Sequence, residues 1–248
     1  MNFSVLIRTH NRNHSLKLAL DSVLRQKYLP REVFVLDDLN QDTVKKLIND
    51  FKKKKEISFQ YINTRNEFNS LKNLNLISTK CSSEYLAFLD DDDTWHEKYL
   101  DEANKLLKNF DIIYSNYYEV INNVKRNFYI KKKKFKENIL SNNGYIISNL
   151  VVKKKTFHDL ECFDHTLNSS ADKDFYLKAI KKNKPVGFIN KFYVNYFIDR
   201  LDMKHNWSND KKKILIATIF FYKKYFFKIG IILNIRMILK IIKLILKL

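Results

Sequence analysis

Short apolar runs alternate with segments of helical spacing over the first ninety residues. Phe3–Ile7 is apolar and is followed by polar Arg8-Thr9-His10-Asn11-Arg12, which predicts a strand and then a functional loop. Leu16, Ala19, Leu20, Val23 and Leu24 recur at helical spacing, and Pro30 closes that segment. Val33–Leu36 predicts a second buried strand that ends in Asp37-Asp38. Val44, Leu47, Ile48 and Phe51 mark a second helix. Phe59–Ile62 reads as a third strand, Leu71, Leu74 and Ile77 as a third helix, and Tyr85–Leu89 as a fourth strand that runs into Asp90.

Beyond that point the pattern predicts a helix near Glu97–Lys108 and a strand over Ile112–Val120. Asn122–Asn143 is polar and lysine-rich and reads as a loop or hairpin excursion. Ile146–Val152, Val186–Ile189 and Phe192–Phe197 read as strands, and Asp172–Lys182 as a helix. Alternating strands and helices predict an α/β fold, Rossmann-like, with a mixed, mostly parallel sheet flanked by helices. In such sheets ligands bind beyond the carboxyl ends of the strands. Here those ends carry Thr9 and His10, then Asp37 and Asp38, then Asp90-Asp91-Asp92-Asp93. Three polar clusters therefore converge on one edge.

From Lys211 onward the chain is almost only Ile, Leu, Phe, Tyr and Lys. In Ile231–Leu248 the polar residues Asn234, Arg236, Lys240, Lys243 and Lys247 mostly share one helical face, and Ile and Leu fill the other. A bilayer-spanning helix needs about 20 mostly uncharged residues, and this stretch is interrupted too often. It predicts a helical C-terminal tail lying in the interface of an anionic membrane, or packed on a partner. The expected division is residues 1–208 as the chemical domain and 209–248 as the basic tail.

The net charge of +19 calls for an anionic partner such as nucleic acid, an acidic membrane or a phosphorylated substrate. Part of it reflects a bias toward Lys, Asn and Ile. The lysine runs 52–55, 131–134, 153–155 and 211–213 are scattered rather than gathered on a groove, and acidic strand ends would repel DNA. Nucleic-acid binding is therefore the weaker reading. Two cysteines build no disulfide framework, and the start of the chain has no basic segment leading into a long apolar one. Both features predict an active domain in the cytoplasm, peripheral on the inner membrane face. Only three glycines occur, Gly144, Gly187 and Gly230, so no Gly-rich phosphate loop can be built. A nucleotide must be held by side chains and a metal.

Four adjacent aspartates repel one another unless something cationic sits among them. A divalent hard cation, Mn2+ or Mg2+, does this and can bridge a diphosphate. An acidic loop or helix cap is the other reading of the run.

The motifs Ser4-Val5-Leu6-Ile7-Arg8-Thr9-His10-Asn11-Arg12, Ser22-Val23-Leu24-Arg25-Gln26, Val35-Leu36-Asp37-Asp38, Lys72-Asn73, Glu84 through Trp95, Phe163-Asp164 and Ala171-Asp172-Lys173-Asp174-Phe175 occur in order over roughly residues 3–180. Together they resemble a family 2 glycosyltransferase of the GT-A fold. The resemblance implies an inverting, metal-dependent enzyme that moves a sugar from a nucleotide-sugar donor, a UDP-sugar by expectation, to a glycan or lipid-linked acceptor in surface-polysaccharide synthesis. It implies that Thr9, His10 and Asp38 line the base and ribose pocket, that Lys72 contacts phosphate, and that Asp90 and Asp91 bind the donor. It makes Asp92 the main metal ligand and Asp90 a further one. Asp93 would orient the turn, and His205 resembles a late histidine near the metal. Asp172 would be the general base, with Asp174 as its alternative. Bland readings stay open: a loop histidine at position 10, a helix-surface lysine at 72, a surface histidine at 205 and a helix cap at 172. Two departures stand out: Ala171 where an acid is usual, and Asn75 where a glycine is common. A nucleotidyltransferase also uses paired aspartates and a metal, but it commonly needs a Gly-rich N-terminal loop.

Overall fold

The computed structural model describes residues 1–53, 57–64, 70–131, 135–140, 144–167, 170–198, 211–228 and 230–246. Among the described residues nine strands form one sheet: β1 (Phe3–Thr9), β2 (Glu32–Asp37), β3 (Ser58–Asn63), β4 (Tyr85–Asp90), β5 (Thr94–Trp95), β6 (Ile112–Ile121), β7 (Val124–Phe128), β8 (Leu150–Lys153) and β9 (Val186–Phe197). The helices are α1 (Asn13–Leu24), α2 (Asp42–Lys52), α3 (Ser70–Lys80), α4 (Tyr99–Leu106), α5 (Phe135–Leu140), α6 (Lys154–Asp159), α7 (Ala171–Lys181), α8 (Lys211–Tyr225) and α9 (Ile231–Ile245).

The strand order is β3-β2-β1-β4-β8-β6-β9-β5, with β7 paired to β6. β3, β2, β1 and β4 run parallel, as does β6 with β9; β8, β5 and β7 pair antiparallel. β2 lies on one side of β1 and β4 on the other. The chain therefore reverses its winding direction between β1 and β4, which opens a crevice at their carboxyl ends. There Arg8 is the register partner of Asp90.

The parallel strands are apolar at successive positions because helices cover both faces. Phe34, Leu36, Leu86 and Phe88 point into a core with α3, α6 and α7, while Val33, Val35, Ala87 and Leu89 point into a second core with α1, α2 and α4. The tail joins the first core: Phe221, Tyr222 and Tyr225 of α8 and Met237 of α9 are buried there.

Some elements depart from the sequence pattern. The expected strand over Ile146–Val152 starts instead with a 3-10 turn at Ile147–Asn149, where the Ile146 N–H donates to the Asn149 side chain. Val186–Phe197 forms one strand whose register against β6 shifts around Asn116. The polar stretch after Ile121 opens as a hairpin, turned by Asn122 and Asn123 at φ 48° and 62°. With few glycines available, Asn occupies most of the left-handed positions among the described residues, including Asn11, Asn40 and Asn183.

Candidate functional site

The crevice is built from the ends of β1, β2 and β4 and from the start of α7. Thr9, the last residue of β1, is buried and its hydroxyl donates to Asp91 Oδ2 at 2.7 Å. The His10 N–H donates to the same oxygen at 3.3 Å, and its ring Nδ1 lies 2.9 Å from Asp38. Asp37 is fully buried and does something else. It accepts the N–H groups of Leu39 and Gln41 and the Tyr61 hydroxyl, so it shapes the loop that presents Asp38. A shallow cleft runs past Arg8, Thr9, Leu36, Asp38, Thr64, Ser70 and Asn73. Lys72 is exposed on α3, next to Asn73 of that lining.

The four aspartates have four different environments. Asp90 pairs with Arg8, whose Nε lies 2.7 Å from Oδ1. Asp91 is bound by Thr9, His10 and Arg12, with Arg12 Nη1 2.8 Å away. Asp92 lies 2.7 Å from the same Arg12 nitrogen. Asp93 is buried; it accepts the Phe197 N–H at 3.1 Å and the Ser148 hydroxyl at 2.5 Å. It therefore ties the end of β4 to β9 and to the 3-10 turn. Trp95 adds to the same clamp, donating its indole N–H to the Ser148 carbonyl at 2.8 Å.

Arg8 and Arg12 belong to this site, and residue-type reasoning gave them no role. They supply part of the cationic charge that the acidic run requires. Their signal lay in the β1–β4 register, which a strand order of 2-1-4 creates and which the sequence does not print. Burial opposes charge on both guanidiniums, but the neighbouring aspartates prevail and raise their affinity for protons.

Two guanidiniums do not neutralise four carboxyls. Burial, then repulsion from Asp91 and Asp90, raises the Asp92 carboxyl to about 7. Burial raises Asp91 and Asp93 too. Carboxylate oxygens of Asp90, Asp92 and Asp93 lie within 4.8 Å of one another. Uncompensated negative charge on a compact set of hard oxygen donors fits a divalent cation of the Mn2+ or Mg2+ class. His205, the further ligand expected from sequence, lies outside the described residues.

Asp172 occupies the first turn of α7. Its Oδ1 accepts the Lys173 N–H at 2.6 Å, a capping contact, while Ser170 at the N-cap makes no side-chain cap. Burial chiefly, and the Asp90 charge, raise its carboxyl to about 7 against the pull of the Lys173 N–H and of Arg8. Asp172 is therefore near enough to the acidic strand end to feel the charges of both Asp90 and Arg8. The half-buried Tyr196 of β9 senses Asp93, Asp92, Asp90 and Asp172 together; desolvation and then those four charges hold its hydroxyl protonated well beyond its usual range.

Asp174 is turned away from the crevice. It is fully buried, with Lys224 Nζ at 2.7 Å, the Tyr225 hydroxyl at 2.6 Å and Lys178 Nζ at 3.6 Å. This corrects the expectation that it could substitute for Asp172 as a base: a carboxylate bound by two residues of α8 cannot reach an acceptor. Both departures from the motif pattern also find a packing reason. Ala171 is buried in an apolar core, where a charged side chain would lose its hydration. Asn75 grips the Phe163 backbone, donating to its carbonyl at 2.7 Å and accepting its N–H at 3.1 Å.

The family model described as glycosyl transferase family 2 matches residues 4–174. An uncharacterized glycosyltransferase of Methanocaldococcus jannaschii is 25% identical over 93% of this chain and 87% of its own length. The Escherichia coli enzyme WfgD, a UDP-Glc:alpha-D-GlcNAc-diphosphoundecaprenol beta-1,3-glucosyltransferase, is 28% identical over 48% of this chain and 47% of its own. Among solved structures, residues 1–349 of Staphylococcus aureus TarS in complex with UDP-GlcNAc superpose with a TM-score of 0.68 at 18% identity, covering 88% of this chain and 66% of that one. The mannosyltransferase PcManGT of Pyrobaculum calidifontis, in complex with GDP-Man and Mn2+, gives 0.67 at 13% identity, over 91% and 64%. The fold is GT-A, and this chain spans about two thirds of those two solved chains.

Proposed function

Because the chain belongs to glycosyl transferase family 2, we propose that its crevice transfers a sugar, with inversion, from a nucleotide-sugar donor to an acceptor hydroxyl. The observation that carries this reading is the cluster of Asp90, Asp92 and Asp93 carboxylate oxygens at the crevice, with Asp172 near enough to feel the Asp90 charge. The nucleotidyltransferase and nucleic-acid readings give way to it.

The base and ribose lie along Thr9, His10, Asp38 and the cleft beside them, and Lys72 reaches the phosphates from α3. Asp90 and Asp92, with Asp93 close by, would hold Mn2+ or Mg2+, and Asp91 would face the donor. When bound, such a cation would offset the charge of the departing diphosphate. Asp172 takes the proton from the acceptor hydroxyl as that oxygen attacks the anomeric carbon. A carboxyl raised to about 7 is well matched to that task near neutral pH. The TarS complex with UDP-GlcNAc favours a uridine donor, and the lipid-diphosphate substrate in the name of WfgD favours a lipid-linked acceptor in surface-glycan synthesis.

Residues 1–208 act as the catalytic unit and 209–248 as its seat on an anionic, cytoplasm-facing membrane surface. No described helix is long and apolar enough to cross a bilayer. α9 instead turns Met237 inward, with Leu233 and Ile241 packed beside it, and leaves Ile231, Ile235, Ile238, Ile242 and Ile245 exposed. By helical spacing Arg236, Lys240 and Lys243 gather on the face away from that apolar stripe, the arrangement of a helix lying in an interface. Lys247 lies outside the described residues.

Screening UDP-, GDP- and dTDP-sugars with Mn2+ or Mg2+ tests the reading. Metal-dependent donor hydrolysis and thermal stabilisation by one nucleotide class are expected. No response to any donor under either metal sinks it.

A further inference from the structure

The start of α7 is held from the far end of the chain. Lys224 of α8 forms ion pairs with Asp164 at 2.6 Å and with Asp174 at 2.7 Å. Tyr225 donates to Asp174 at 2.6 Å. Lys173 reaches the Ile139 carbonyl of α5 at 2.7 Å, and its ammonium lies 4.8 Å from the centre of the Phe221 ring of α8. Thus Lys173 and Asp174, the two residues that follow Asp172, are each gripped by α8.

These contacts are too costly to be incidental. Asp174 is fully buried, and a buried carboxylate survives only when paired and hydrogen-bonded. Lys224 and Tyr225 are its partners on α8, so a correctly seated α8 is the condition for an ordered Asp174. Asp172 sits half a turn earlier on the same helix, and Ser170 provides no side-chain cap to fix that end independently. A shift of α7 by 1 Å is enough to misplace a proton-transfer group.

We propose that α8 is a latch for the general base: Lys224 and Tyr225 are positioning residues that hold the first turn of α7 so that Asp172 faces the acceptor. Neither touches the crevice, and both act through Asp174. The proposal rests on the reading of Asp172 as the base. It extends that reading by making turnover depend on how the C-terminal helices are seated.

The test uses full-length protein, the donor sugar found in the screen, and two variants. Tyr225→Phe removes one hydroxyl and keeps the packed ring. The double variant Asp174→Asn with Lys224→Gln removes both charges of that pair, and with them the ion-pair partners of Lys178 and Asp164. Donor affinity, kcat, KM for the donor and the pH at half-maximal kcat are measured for each. The expected result is donor affinity and KM within twofold of wild type, kcat reduced at least tenfold, and a displaced pH midpoint. Unchanged kcat and pH midpoint in either folded variant, even with a lowered Tm, would make the contacts purely structural and overturn the latch. Loss of donor binding in both variants also overturns it, because the contacts would then support the whole domain rather than Asp172. A wild-type protein that binds no nucleotide sugar defeats the underlying reading instead, which keeps the two failures apart.

Discussion

The strand ends carrying Thr9, Asp38 and Asp90–Asp93 and the helix start carrying Asp172 face one crevice, yet they are fixed by different means. The strand ends are held locally. β1, β2 and β4 are parallel neighbours, their register sets Arg8 against Asp90, and Arg12 follows three residues after Thr9. The helix start is held differently: Asp174, two residues after Asp172, contacts residues some fifty positions later, on α8. The comparison teaches that the strand side of such a crevice can be rigid by topology alone, while the helix side depends on what docks against it.

The largest effect expected falls on the rigid half. Asp92→Ala removes the central carboxylate and should abolish both sugar transfer and donor hydrolysis, a loss of about a thousandfold or more. Full activity in that variant would break the assignment of the strand end to the diphosphate. Asp172→Asn should lower kcat by about 10² to 10⁴ while leaving donor affinity nearly intact, since only proton transfer is lost. Titration calorimetry with the donor checks this, and a collapse of donor binding would erase the distinction between the halves.

Ionisation sharpens the comparison further. A base must be deprotonated, and the Asp172 carboxyl stands raised to about 7. Below that value kcat should climb about tenfold per pH unit and level off above it. Because the Asp90 charge contributes to the shift, a divalent cation beside Asp90 should move the midpoint to lower pH, which pH–rate profiles at two Mn2+ concentrations would reveal. Stability follows the same sign. Asp92 and Asp172 hold protons in the folded state that the unfolded chain releases near pH 4, so metal-free protein should lose stability as pH rises from about 4 to about 7. A melting temperature that rises across that window would contradict these environments.

The smallest effect is expected at the surface. Ile235→Glu with Ile242→Glu on the exposed face of α9 should weaken sedimentation with anionic vesicles by about tenfold or more, with donor hydrolysis in solution unchanged. Wild-type sedimentation of that variant would remove the membrane role from the tail.

Much of the strand side of the crevice was legible in the chain because strand periodicity, buried apolar runs and polar strand ends are local properties. Phe3–Ile7, Val33–Leu36 and Tyr85–Leu89 all form the strands their patterns predict, and the polar residues that end them meet on one sheet edge. The tail was legible as helix and as amphipathic. That it has an inward face, Met237 with Leu233 and Ile241, was not, because the wheel alone cannot say which stripe meets a core.

The sequence by itself determined that this is an α/β protein with acidic strand ends and no Gly-rich loop, since those follow from short-range pattern and composition. Only the tertiary structure decided which charges meet. It set Arg8 on Asp90 and Arg12 on Asp91 and Asp92, spent Asp93 on the Phe197 backbone, and gave Asp174 to Lys224 and Tyr225. Those partnerships span roughly 50 to 100 residues. They arise because burying a charge forces it to find an opposite one wherever packing brings the chain together, and no local periodicity records where that is.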